Sequence, residues 1–215
     1  MNELTLLLTL ATIHTIGLIS PGPDFALVVQ NVARYGRATG VYIACGLALG
    51  IGLHTIFSLT GVSFVIQQHE TLFMLVQLAG GSYLLYLGLS ALRSTYLSWH
   101  QPAAAPTQAS TEQITSPHMA LVKGLVTNLL NPKALVFFVS LVSTLVPASV
   151  SWWFKGTAAL MLFALSLAWF SLLACWLSSS SMQQRLQRAS RYIDAVCGTV
   201  FSVLGGSIVL SRVLG

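Results

Sequence analysis

Charge is what this chain has least of. Of 215 residues, five are acidic and ten basic, a charged fraction of 7% where a soluble domain carries about 25%. So few charges exclude a water-solvated surface, and 55% hydrophobic residues point to an integral membrane protein. Long polar stretches are scarce, which leaves no room for a soluble catalytic domain. Cysteine is sparse as well. Cys45, Cys175 and Cys197 are odd in number and lie in apolar stretches, so they form no disulfide framework or zinc spacing and read as packing residues. No G-x-x-x-x-G-K-[ST] loop is present, which excludes ATP hydrolysis by that route. No cofactor or metal is implied. Met1-Asn2-Glu3 lacks the basic start of a signal peptide and no small-residue cleavage pattern follows, so the first apolar stretch is read as retained.

A span needs about 20 apolar residues. Six stretches qualify, namely Leu4 to Asn31, Gly40 to Ile66, Leu72 to Leu92, Met119 to Val146, Trp153 to Leu177 and Ile193 to Leu210. The net charge of +5 is scattered through short loops, which argues against nucleic acid as a partner and for a topology signal. Arg34, Arg37, Arg93, Lys123, Arg185, Arg188 and Arg191 fall in one set of loops, and Lys155 and Arg212 in the other. The richer set belongs in the cytoplasm, with both termini outside. Trp152 and Trp153 near one boundary, and Tyr96 and Trp99 near the other, fit aromatic belts.

The long polar stretch from Ser94 to Pro117 reads as a linker between two sets of three spans, giving units over residues 1–93 and 119–215 with a cytoplasmic linker over 94–118. The halves echo one another. Pro23-Asp24 resembles Pro132-Lys133 at an offset of 132 − 23 = 109, and Gly81 and Gly88 recur as Gly198 and Gly205 at an offset of 198 − 81 = 117. Each unit has an odd number of spans, so the second enters the membrane from the opposite side. The expected fold is an all-α membrane protein of six transmembrane helices, arranged as two inverted three-helix repeats whose first helices are broken. Gly46 and Gly50 form a small-xxx-small pair, read as packing within the bundle, with a homodimer interface as the alternative.

The breaks carry the chemistry. Ser20-Pro21-Gly22-Pro23-Asp24 and Asn131-Pro132-Lys133 each place a charge directly after a proline inside an apolar span. Such a charge costs about 2.5 to 3.5 kcal/mol at the bilayer centre, so Asp24 and Lys133 must face protein or water. Proline removes a backbone donor and clashes with the preceding turn, and Gly22 between two prolines makes a continuous helix still less favourable. Ser20 is expected as N-cap with Pro21 opening a half-helix, and Asn131 with Pro132 as the counterpart. Both breaks then offer helix N-termini that attract carboxylates. Asp24 suits a substrate ammonium or the coupling proton. Lys133, opposed by its own dipole, needs Asp24 or a substrate carboxylate as partner. Asn128, Asn131 and Ser20 are the hydrogen-bonding neighbours of a small zwitterion's site. His14 and His54 lie in spans and suit either a proton relay or a hydrogen-bonded interior position. Asp194, beside Arg185 to Arg191, reads as a member of a surface charge pair.

With these residues in hand, the chain resembles the lysine exporter (LysE) superfamily and, within it, the homoserine/threonine resistance (RhtB) family. The resemblance covers nearly the whole chain. It rests on His14 followed by Ser20-Pro21-Gly22-Pro23-Asp24, on Ala79-Gly80-Gly81 leading to Tyr83-Leu84-Leu85-Tyr86-Leu87-Gly88, and on Lys123-Gly124 followed by Thr127-Asn128-Leu129-Leu130-Asn131-Pro132-Lys133-Ala134. It implies a multi-pass protein of the bacterial cytoplasmic membrane, surrounded by lipid, that exports small threonine- or homoserine-like amino acids in exchange for protons. Export direction and proton coupling come from the resemblance, not from composition or spacing. The alternatives are a passive channel, a lipid-binding membrane protein and an intramembrane hydrolase. An enzyme finds little support, because Asp24 has no acidic partner within the spans and H-E-x-x-H is absent; a Ser-His pair is the one route the sequence leaves open.

Overall fold

A computed structural model describes residues 2–68, 70–100, 114, 116–147, 149–177 and 180–213. Eight helices follow in order: α1 (Glu3–Ile19), α2 (Pro23–Tyr35), α3 (Arg37–Gln68), α4 (Glu70–His100), α5 (Pro117–Leu129), α6 (Pro132–Leu145), α7 (Trp152–Trp176) and α8 (Ser180–Val213). Four are long and apolar enough to cross a membrane alone, and two bent pairs bring the number of candidate spans to six. The chain is a multi-pass helical membrane protein.

Most of the helix boundaries follow from local chemistry. Asn2 caps α1 by accepting from the Thr5 N–H, Ser116 caps α5 through the Met119 N–H and Ser151 caps α7 through the Phe154 N–H. Such caps satisfy donors that a helix start leaves orphaned. Gly36 closes α2 with φ +83°, a conformation that glycine adopts without strain.

The two breaks bend their pairs by 52° at α1/α2 and 57° at α5/α6. At the second, Asn131 is the N-cap, its side chain accepting from Lys133 N–H at 3.0 Å, and Pro132 is the first helical residue. The first break departs from the sequence expectation. Ser20 ends α1, its N–H still bonded to Ile16 O, and the N-cap of α2 is Gly22 with Pro23 as first residue. The second proline decides this. Had Pro21 opened the helix, Gly22 would have to be helical directly before Pro23, a conformation that the proline ring disfavours.

α3 is the central post. In its most apolar window 56% of residues are buried, against 28–33% in the other three long spans, and it packs against α2, α5, α6 and α7. Gly46 and Gly50 permit the close approach of α5: a Cβ on Gly46 would meet the Leu121 carbonyl oxygen and, at 2.7 Å, the Leu125 nitrogen, and one on Gly50 would strike the Asn128 side chain. The pair thus serves packing within the chain. Backbone atoms give way less easily than side chains, so Gly46→Val is expected to cost at least about 3 kcal/mol, read as a lower thermal midpoint in detergent; an unchanged midpoint would remove this contact from the fold's stability.

α4 lies along α8. A Cβ on Gly205 would sit 2.6 Å from the Gly81 carbonyl oxygen, and one on Gly88 2.7 Å from that of Gly198. Gly81 therefore meets Gly205 while Gly88 meets Gly198, so the two helices run antiparallel. α4 also continues through Ser94 to His100 into the stretch read as linker, while residues 101–113 and 115 of that stretch lie outside the described ones. Trp152 and Trp153 are exposed, at 75% and 88%, as belt residues must be. The side chains of Trp99, Arg185, Arg188, Arg191 and Arg212 lie outside those described, and with them the expected charge pair of Asp194.

Candidate functional site

The two breaks meet. Asp24, in the first turn of α2, accepts from Asn128 Nδ2 on Oδ2 at 2.7 Å and from Asn131 Nδ2 on Oδ1 at 3.1 Å. In the other direction, Lys133 Nζ donates to Ser20 Oγ at 2.8 Å and to the Pro21 carbonyl at 3.2 Å. Each charge is thus satisfied by polar groups of the opposite break. Of the two partners expected for Lys133, Asp24 is not bonded to it directly, because its ammonium donates to Ser20 and Pro21 at the end of α1. The reach of a lysine side chain explains it: the residue starts α6, where the dipole opposes its charge, yet its Nζ lies at a helix C-terminus, where the dipole favours it.

The amide orientations follow from the network. Asn131 Oδ1 is occupied by the Lys133 N–H, so only its Nδ2 is left for Asp24. Asn128 is fully buried, and turning its amide would set a carbonyl oxygen against a carboxylate. Its own Oδ1 has no partner among the described residues and lies against Gly50. Its backbone carbonyl, near the end of α5, accepts from Asn131 N–H and contacts His54 Nε2 at 3.1 Å.

Between the breaks is a cavity of about 60 Å³ lined by Asp24, Lys133, Asn128, Asn131, Ser20 and His14. At roughly 10–15 Å³ per water-sized position it holds about four to six small groups. Gly22 is also in the wall, while Pro21 contributes the carbonyl that holds Lys133. Every residue that the sequence singled out for the site is therefore in the cavity wall or at a break beside it. His54 is adjacent but turned to Asn128, and it stacks on Phe138 with centroids 6.1 Å apart.

Sequence reasoning missed the apolar half of the wall. Phe25, Phe137, Phe138, Phe170 and Phe201 face the cavity, and Lys133 Nζ lies 5.7 Å from the Phe201 ring, within cation–π reach. Nothing separates these phenylalanines from lipid-facing ones in the sequence. Ser166, which bonds His14 Nε2 at 2.8 Å, carried no signal either. Cys197 donates to Ile16 O at 3.4 Å, an interior packing position. Among the described residues no cluster of His, Cys, Asp or Glu converges as for a metal ion.

Two interrupted spans meeting at a small charged cavity inside an apolar bundle define a membrane protein of the translocator class. The profile of the LysE type translocators matches residues 15–212, and the chain belongs to that family. It is 32% identical to the threonine efflux protein of Escherichia coli (strain K12), over 97% of this chain and 100% of that protein. Identity is 33% to the threonine efflux protein of Salmonella typhi, with 97% and 100% covered. It is 30% to an uncharacterized membrane protein of Haemophilus influenzae, with 97% and 98% covered. No solved structure matches the chain. The family resemblance seen in the three motifs is borne out.

Proposed function

We propose that this protein exports small amino acids of the threonine or homoserine kind across the bacterial cytoplasmic membrane, in exchange for protons. The observation that carries the reading is the crosswise bonding of Asp24 and Lys133 by the opposite break, around a small cavity that both line. An α-amino acid brings one ammonium and one carboxylate. Asp24 receives the ammonium, and a remaining N–H of Lys133 receives the carboxylate. The names of the threonine efflux relatives agree with such a substrate.

The coupling follows from what Asp24 does to the network. While ionised it accepts two amide N–H bonds and ties α2 to both sides of the α5/α6 break. A proton on one oxygen replaces an acceptor with a donor and weakens that tie, freeing the breaks to move. A substrate ammonium and a proton compete for the same carboxylate, so each displaces the other, which is exchange. The protein needs two arrangements of this kind for alternating access.

Inverted repeats supply them, and the glycines support that architecture. In the repeat, Gly81 corresponds to Gly198 and Gly88 to Gly205, yet the contacts join Gly81 to Gly205 and Gly88 to Gly198. Such a swap is what a two-fold axis produces, each position meeting the counterpart of the other. The similar bends of 52° and 57° agree with it.

Purified protein in vesicles preloaded with labelled threonine tests the function. Efflux is expected to rise several-fold when a pH gradient is imposed, and protons are expected to move opposite to threonine. Efflux that ignores the gradient would mark a passive channel, and no amino-acid efflux at all would end the proposal.

A further inference from the structure

The cavity has one hydrogen-bonding group that the zwitterion's own charges do not claim. His14 lies on α1, only 2% exposed, and lines the cavity beside the two breaks. Its Nε2 is 2.8 Å from Ser166 Oγ, and that hydroxyl is 2.6 Å from the Leu162 carbonyl. A carbonyl only accepts, so the single hydroxyl proton of Ser166 goes to Leu162. Ser166 Oγ can then only accept from the histidine, which places the ring proton on Nε2. No carboxylate among the described residues bonds the ring, and a buried imidazolium without a counter-ion is costly, so the imidazole is neutral. The ring's other partner is the Leu162 carbonyl, also an acceptor on α7, so the ring proton faces α7 and Nδ1 keeps its lone pair.

Of the other polar groups, Asn128 Oδ1 is turned onto Gly50 and the rest are committed. Both asparagine amides serve Asp24, Asn131 Oδ1 serves a backbone N–H, and Lys133 is held by Ser20 and Pro21. His14 lies six residues before Ser20 on α1, so about 9 Å along the axis from that break, which sets it beyond the charged pair on the side-chain end of a bound amino acid. The rest of the lining around it is apolar, with Gly17, Leu18 and Ile51 beside the phenylalanines. An otherwise apolar pocket with one locked acceptor distinguishes a side chain bearing a hydroxyl donor from its apolar counterpart. Phe138 packs on the ring at 5.5 Å and helps hold its plane.

We infer that His14 is the specificity residue of the exporter, accepting the side-chain hydroxyl of the substrate on Nδ1, with Ser166 as the positioning residue that fixes the tautomer. This rests on the amino-acid export reading. The substrates of choice are small hydroxylated amino acids, selected against isosteres without the hydroxyl.

The test compares efflux of threonine and of 2-aminobutyrate, which lacks only the hydroxyl, from vesicles containing the full chain. The wild-type protein is expected to favour threonine by at least about tenfold, the factor for one neutral hydrogen bond of ~1.4 kcal/mol. His14→Phe is expected to bring that ratio to about one, by losing threonine efflux disproportionately. Ser166→Ala leaves Nδ1 and Nε2 free to exchange roles and is expected to give an intermediate ratio, and it serves alone if His14→Phe does not fold. A wild-type ratio near one, or a ratio unchanged in either variant, overturns the assignment while leaving export intact. Failure of the wild-type protein to move either amino acid would instead overturn the export reading.

Discussion

Asp24→Asn is expected to reduce amino-acid efflux by at least about 100-fold while the protein still inserts and folds. Asparagine has the shape of aspartate, and its one carbonyl oxygen still accepts from one of the two amides now bonded to Asp24. The other amide would face an N–H₂ group, donor to donor, at a cost of about 1–3 kcal/mol, which a folded bundle of this size tolerates. Export does not tolerate it. A neutral amide neither carries a proton nor attracts an ammonium, and a factor of 100 requires only about 2.8 kcal/mol of lost interaction. Vesicle efflux measured beside the elution profile and thermal midpoint in detergent separates the two effects. Efflux within twofold of wild type would remove Asp24 from the mechanism.

Exchanging the charges, Asp24→Lys with Lys133→Asp, is expected to rescue nothing. Two opposite charges in direct contact would survive an exchange, and the sequence admits that arrangement. The structure gives each charge its own chemically matched nest. A lysine at 24 would point its ammonium at the amide N–H groups of Asn128 and Asn131. An aspartate at 133 would oppose the Pro21 carbonyl oxygen. Each mismatch strands a charge away from water, which costs about 3–5 kcal/mol, and separate nests give no mutual relief. The doubly substituted protein is therefore expected to be no more stable than either single variant, judged by yield and thermal midpoint. A midpoint above both singles would establish direct pairing and overturn the crosswise arrangement.

The site was unusually legible in the sequence because it breaks the rules of its surroundings. A charge after a proline in an apolar run is conspicuous, so Asp24 and Lys133 stand out with their neighbours Ser20 and Asn131. The phenylalanines of the cavity obey those rules and stay hidden among residues of the same kind that face lipid. Ser166 is hidden for the same reason, since a serine on an apolar helix normally bonds its own backbone, as this one also does. The sequence gets the first break right but starts the second half-helix two residues early, because Ser20 resembles a cap. Only the demand of Pro23 on Gly22 moves the helix start.

Composition and pattern alone determined that the chain crosses a membrane, how many apolar stretches it has, where two of them break, and which charges lipid cannot accept. These are local properties, set by transfer free energy and by proline's missing N–H. The tertiary structure alone decided which break satisfies which charge, that Gly81 meets Gly205 and Gly88 meets Gly198, and that His14 meets Ser166. The reason is distance along the chain: these contacts join residues about 100 or more positions apart, and only packing around α3, and of α4 on α8, brings such groups within hydrogen-bond reach.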